Sequence, residues 1–216
     1  MMSNLTAALD GWLQDGIRQI GEVLIQRLVA GHELRHIADR DRTDLIASTC
    51  AEEAQKIALL AEDGSYRPLK TAPTLRRGWS LQLATLPEVR RAIDLLYPAM
   101  LGIYRDFQAA KLVPVMLRET LGRQSGMYAV TRKLSDPQAQ SLIGRVCRSD
   151  GGCLKTILWK IDAELGVDSL PREKFDPAAC QASPRVAEPL PMLCHEACNI
   201  LVAHAREVVK SPTKQE

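Results

Sequence analysis

Six cysteines stand in the chain, and four of them fall into two pairs. Cys147 and Cys153 are separated by RSDGG, Cys194 and Cys198 by HEA, and forty residues lie between the pairs. Four thiolates suit either a structural zinc ion or an iron–sulfur cluster. The second pair fits the short spacing common in zinc sites and the first does not, so spacing alone leaves both chemistries open. Positions i and i+4 of a helix share a face about 6 Å apart along the axis. Cys194 and Cys198 are therefore predicted to point at one object from the start of the final helix, where the helix end favours a thiolate. Gly151-Gly152 lets the backbone turn tightly before Cys153. Arg145, Arg148, Lys155 and Arg206 are near in sequence and would offset a negative cluster, with Arg148 and Lys155 the cofactor-binding candidates. Free cysteine is also a common core residue, which is the reading given to Cys50. Cys180, in a proline-rich stretch, is the rival for a ligand position. A disulfide between Cys194 and Cys198 would fit helical geometry poorly.

These residues need elements to position them. Leu5, Leu9, Trp12 and Leu13 recur at helical spacing, and Ile20 to Ile37 alternates around Ala30-Gly31 as a β-hairpin. Thr49–Glu52 and Thr85–Glu88 each match a capping box at a helix start. Pro98 breaks the second of these helices, and Met100 to Ala110 continue as helix. Asp136-Pro137 reads as a cap plus a proline at the first helical position, opening a helix that runs to about Cys147. Gly166 to Leu193 carries five prolines and reads as a long loop of the kind that is usually functional. A last helix is predicted over Cys194 to Val209. The expected fold class is α+β, mainly helical. A small helix and hairpin module over 1–64 is followed by a helical metal-binding module over 65–210 and a tail over 211–216.

Composition narrows the function classes. The chain has 216 residues and a formal net charge of +2, with aromatic content of only 4%. A general nucleic-acid binder would show a basic footprint or an aromatic stacking surface, so no nucleic-acid partner is expected. No apolar run is long enough to span a bilayer. Met1 to Leu13 lacks the layout of a secretion signal, which predicts a cytoplasmic location where structural disulfides are rare. No GxSxG, P-loop, GxGxxG or HExxH pattern occurs, and no nucleophile–base pair is legible. That favours a non-catalytic accessory or electron-transfer subunit over an enzyme.

Two basic segments, around Arg76 and Arg77 and around Arg118 and Arg123, are candidates for contact with a partner or an anion. Solvated loops with local salt bridges are the plainer reading of both. His32, His36, His195 and His204 are read as packing or surface residues.

The runs YRPLKTAPTLRRGW, RETLGRQSGMYAVTRKL, GGCLKTILW and CHEACNILVAHAR resemble the additional domains of certain CbiX-type sirohydrochlorin cobaltochelatase-related proteins. The resemblance spans roughly Leu9 to Val209. It implies a [4Fe-4S] cluster held by Cys147, Cys153, Cys194 and Cys198, and a separate stabilising module at the N-terminus. The chelatase half itself has no counterpart in these residues, so metal insertion is not expected of them alone. The implied function is that of an iron–sulfur accessory protein in tetrapyrrole biosynthesis. It would deliver electrons to, or stabilise, a tetrapyrrole-modifying enzyme as partner. An oxygen-dependent cyclase of bacteriochlorophyll synthesis and an enzyme of cobalamin synthesis are two settings. The alternative is a structural interaction protein whose zinc or iron–sulfur site only supports the fold.

Overall fold

The fold comes from a computed structural model, which describes residues 2–14, 16–60, 63–66, 75–112, 115–147, 156–157, 159–160, 192–194 and 196–211. The chain divides into two compact units. The first comprises Met1–Leu69, Pro73–Lys111 and Phe175–Met192, the second Lys70–Ala72, Leu112–Lys174 and Leu193–Glu216. The fold class is α+β, as expected.

In the first unit, helix α1 (Met2–Leu13) buries Leu9 and Leu13. Strands β1 (Ile17–Ile20), β2 (Val23–Leu28), β3 (Gly31–His36), β4 (Ile46–Ser48) and β5 (Trp79–Leu83) form a five-stranded sheet in the order β1-β2-β3-β5-β4. All neighbours are antiparallel except β4 and β5, which are parallel. The register puts Ile25 opposite Leu34 and Leu34 opposite Leu81, three buried side chains in a row across the sheet. Period-two alternation then sends all three to one face, which is how the apolar pattern fixes the register. The predicted hairpin is β2–β3, and Gly31 at its turn has a φ of 113°. A Cβ there would lie 2.4 Å from the Leu83 carbonyl oxygen, so only glycine lets β5 approach β3.

Helix α2 (Glu53–Leu59) packs on α3 (Leu86–Leu96). Thr85 and Glu88 form the predicted capping box on α3, which ends before Pro98. Helix α4 (Met100–Gln108) follows Ala99, which holds a left-handed φ of 62°. The other expected box does not form. The Glu52 carboxylate is taken by the Cys50 thiol at 3.3 Å and faces Arg91 at 3.7 Å, and α2 starts at Glu53 with no side-chain cap. Cys50 is exposed rather than packed.

The boundary expected between 64 and 65 is also displaced. β5 pairs with both β3 and β4, and α3 packs against α2, so the first unit continues to Lys111.

The second unit opens with β6 (Val115–Met116), α5 (Leu117–Gly122), a 3-10 helix over Gly126–Lys133 and α6 (Asp136–Leu142). The cap of α6 is Ser135, one residue earlier than expected, with Gln138 completing its box and Pro137 in the first turn. A π-helical turn, Ile143–Cys147, extends α6. Short strands β7 (Thr156–Ile157) and β8 (Trp159–Lys160) pair in parallel with β9 (Leu193–Cys194) and β6 respectively. Helix α7 (Asn199–Lys210) closes the unit. Its Leu201, Val202 and Ala205 join Leu117, Leu121, Leu134, Leu142 and Ile143 in one core. Among the described residues no helix is long and apolar enough to cross a membrane.

Candidate metal centre

Three of the four proposed ligands meet that core. Cys147 ends the π turn and is 6% exposed. Cys194 lies on β9 opposite Ile157, and Cys198 immediately precedes α7. Both are half-buried and pack against the same cluster of leucines that holds Cys147. None of the three is in a disulfide. Cys153, Arg148, Lys155, Cys180 and His195 lie outside the described residues, as do residues 161–191 of the proline-rich stretch.

The local geometry of the second pair corrects an expectation. Cys194 and Cys198 do not share a helix face. Cys194 is held in an extended pair, and its Sγ donates to the Glu196 carbonyl at 3.2 Å. Cys198 has the extended backbone of a cap (φ −79°, ψ 163°), and its Sγ accepts from the Leu201 N–H at 3.4 Å. A side-chain acceptor at that position satisfies one of the orphan amides of the first turn, so the helix starts there and not at Cys194. Of the pair, Cys198 alone stands at the N-terminal end of α7.

The donors present fit a thiolate-bound cluster. They are three cysteine sulfurs outside any disulfide, packed against one apolar core, one of them at a helix N-terminus. Among the described residues no three His, Cys, Asp or Glu side chains stand together closely enough to hold an ion. A cubane cluster is wider than an ion and takes one thiolate at each iron. A [4Fe-4S] cluster would be held by Cys147, Cys194 and Cys198 with Cys153, and it supplies one-electron redox chemistry when bound.

The basic candidates divide between the units. Arg76 is half-buried, its carbonyl accepting from the Trp79 indole at 2.7 Å, and Arg77 is exposed; both belong to the first unit. Arg118 bridges α5 to the start of α6, pairing with Asp136 and donating to the Leu134 carbonyl at 3.0 Å. Arg123 is exposed and donates to the Thr120 hydroxyl at 3.4 Å. Arg206 lies over the Tyr128 ring, 5.3 Å from its centroid. That contact was not legible in the sequence, where the two residues are far apart.

His32 and His36 sit on β3 and are buried. The Nδ1 of His36 accepts from Ala38 N–H at 3.0 Å, while neither ring nitrogen of His32 has a hydrogen-bond partner. Burial, and then the nearby Arg27 charge, push the His32 pKa below its ordinary value of 6.5, with Asp10 opposing. The folded chain thus resists a proton that the unfolded chain accepts. Stability is expected to fall as pH drops below about 6.5 and to level off once the folded-state pKa is passed. His32→Leu should remove this part of the acid sensitivity. Urea midpoints at about pH 7 and pH 5 check it, and an equal loss in variant and parent would assign the sensitivity elsewhere.

Comparison with known proteins now places these units. Residues 5–106 match the family model of the DR2241 stabilising domain, and residues 109–207 match that of a 4Fe-4S iron-sulfur cluster binding domain. No curated protein matches the chain. A solved structure, DR2241 from Deinococcus radiodurans, is similar with a TM-score of 0.76 and 28% sequence identity. It is described as a multi-domain protein with structural similarity to chelatases and two additional novel domains. The match covers 96% of this chain and 41% of that one, so the chain spans well under half of that protein's length. The chain therefore joins a DR2241 stabilising domain to a 4Fe-4S iron-sulfur cluster binding domain, and its cofactor is a [4Fe-4S] cluster.

Proposed function

We propose that Cys147, Cys153, Cys194 and Cys198 hold the cluster, and that the chain is an accessory protein for a tetrapyrrole-modifying enzyme, to which it delivers electrons. The observation that carries the reading is the packing of three cysteines against one core inside the segment that matches the cluster-binding family. The tetrapyrrole assignment draws support from the chelatase-like character of the Deinococcus relative. The reading treats the chain as a carrier, because the sequence offers no nucleophile–base pair and no nucleotide motif. A specific observation favours a second, architectural reading. Cys198 caps α7, and α7 supplies Leu201, Val202 and Ala205 to the core, so a cluster there would also tie the last helix in place.

Deleting the gene in its host and profiling the tetrapyrrole pigments tests the proposal. An accumulating unmodified intermediate, cleared by the parent chain and not by Cys194→Ser, is the expected result. An unchanged pigment profile would reject the tetrapyrrole role while leaving the cluster itself untouched.

A further inference from the structure

The corner between α5 and the 3-10 helix carries charge that the fold does not neutralise. Residues 120–135 contain Arg123, Arg132 and Lys133 and no acid. Arg123 and Arg132 are exposed, yet each is held by a neutral partner: the Thr120 hydroxyl at 3.4 Å and the Gln124 carbonyl at 3.1 Å. Arg206, from α7, lies over Tyr128 and donates to the Met127 sulfur at 3.6 Å. Among the described residues no carboxylate pairs with any of the three. Glu207, next to Arg206, turns instead to His204 at 3.1 Å. Met127, which Arg206 touches, stands 69% exposed. The buried Thr131 hydroxyl links this corner to α5: its one proton is shared between the Tyr128 carbonyl at 2.9 Å and the Leu121 carbonyl at 3.2 Å.

We infer that Arg123, Arg132 and Arg206, together with exposed Met127, form a docking surface for an acidic face of a partner protein. The inference rests on the accessory reading above and names the partner chemistry of that same unit. Guanidinium groups already held in place lose little freedom on meeting a carboxylate. A polarizable thioether among them supplies the apolar anchor that charge alone lacks. Arginine and methionine are enriched at protein interfaces, whereas lysine is depleted. Charge complementarity then sets encounter rate and orientation more than affinity, which suits a transient accessory contact.

Binding of two peptides to the anaerobic, cluster-loaded full chain tests the inference. One is glutamate-rich with a central Phe, and the other has Ser in place of that Phe. At low ionic strength the Phe peptide should bind more tightly, and salt should weaken both. Arg123→Gln with Arg132→Gln, both exposed sites, should weaken binding by about fivefold or more. Met127→Ser should abolish the preference for Phe. Unchanged binding in the double variant, or no peptide binding at low salt, would overturn the inference. So would a single-stranded oligonucleotide that binds more tightly than either peptide and is lost in the same variant. Iron content and visible absorbance, measured in each variant, keep a failure here distinct from a failure of the cluster assignment.

Discussion

Cys198→Ser is expected to empty the cluster site while leaving α7 folded, whereas Cys198→Ala should disturb both. One sulfur has two jobs here. As a ligand, Cys198 supplies a thiolate that a serine hydroxyl replaces poorly on iron. As a cap, it accepts the Leu201 N–H at 3.4 Å, and serine is among the best residues for that task. The alanine variant loses the cap as well, at a further ~1 kcal/mol. Iron analysis with far-ultraviolet circular dichroism separates the outcomes. Helix retained in the iron-free serine variant favours the carrier reading. Helix lost along with the iron shows that the cluster itself holds α7, the architectural alternative. Full iron loading in Cys198→Ser would remove Cys198 from the ligand set. Cys50→Ser should keep its iron, since that thiol is exposed in the other unit.

The second large effect lies in the first unit and has nothing to do with iron. Arg35→Met should destabilise it by about 3–5 kcal/mol. The Arg35 guanidinium pairs with Glu33 and donates to the carbonyls of Asp39 at 3.5 Å, Arg40 at 3.0 Å and Arg42 at 3.1 Å. Glu33 is only 6% exposed, and its other partner is the Ser80 hydroxyl at 2.6 Å on β5. Removing the guanidinium therefore strands a buried carboxylate and frees the turn that follows β3. That penalty is a large fraction of the 5–15 kcal/mol by which a typical domain is stable. Thermal melts check it, and Glu33→Gln added to Arg35→Met should recover a good part of the loss. A single variant as stable as the parent would show that the network is ornamental.

Local signals in the sequence were legible where the physics is local. Thr85 and Glu88 cap α3 as their spacing requires, Pro98 ends it, and the alternation about Gly31 gives the hairpin. The cysteines and their spacing pointed to a metal centre and left zinc and iron–sulfur open, since four thiolates hold either; the family resemblance implied the cluster, which the cluster-binding family match bears out. What failed depended on competition or on distance. Glu52 matches a capping box, but the Cys50 thiol and Arg91 claim its carboxylate. Cys194 and Cys198 are spaced for a helix face, but Cys198 can end the helix by capping it, and spacing does not choose between the two. The 64/65 boundary failed because β5 enters the sheet between β3 and β4, a long-range pairing that no local window reveals. The contact of Arg206 with Tyr128 is of the same kind.

The central claim is that this chain carries one [4Fe-4S] cluster on its four paired cysteines. Iron and acid-labile sulfide, determined on protein purified without oxygen, test it most directly. The account predicts brown protein with about four iron and four sulfide per chain. Loading should be lost in Cys147→Ser, Cys153→Ser and Cys194→Ser and retained in Cys180→Ser. Colourless protein with about one zinc per chain would contradict it. Iron kept by Cys153→Ser and lost by Cys180→Ser would contradict the ligand set.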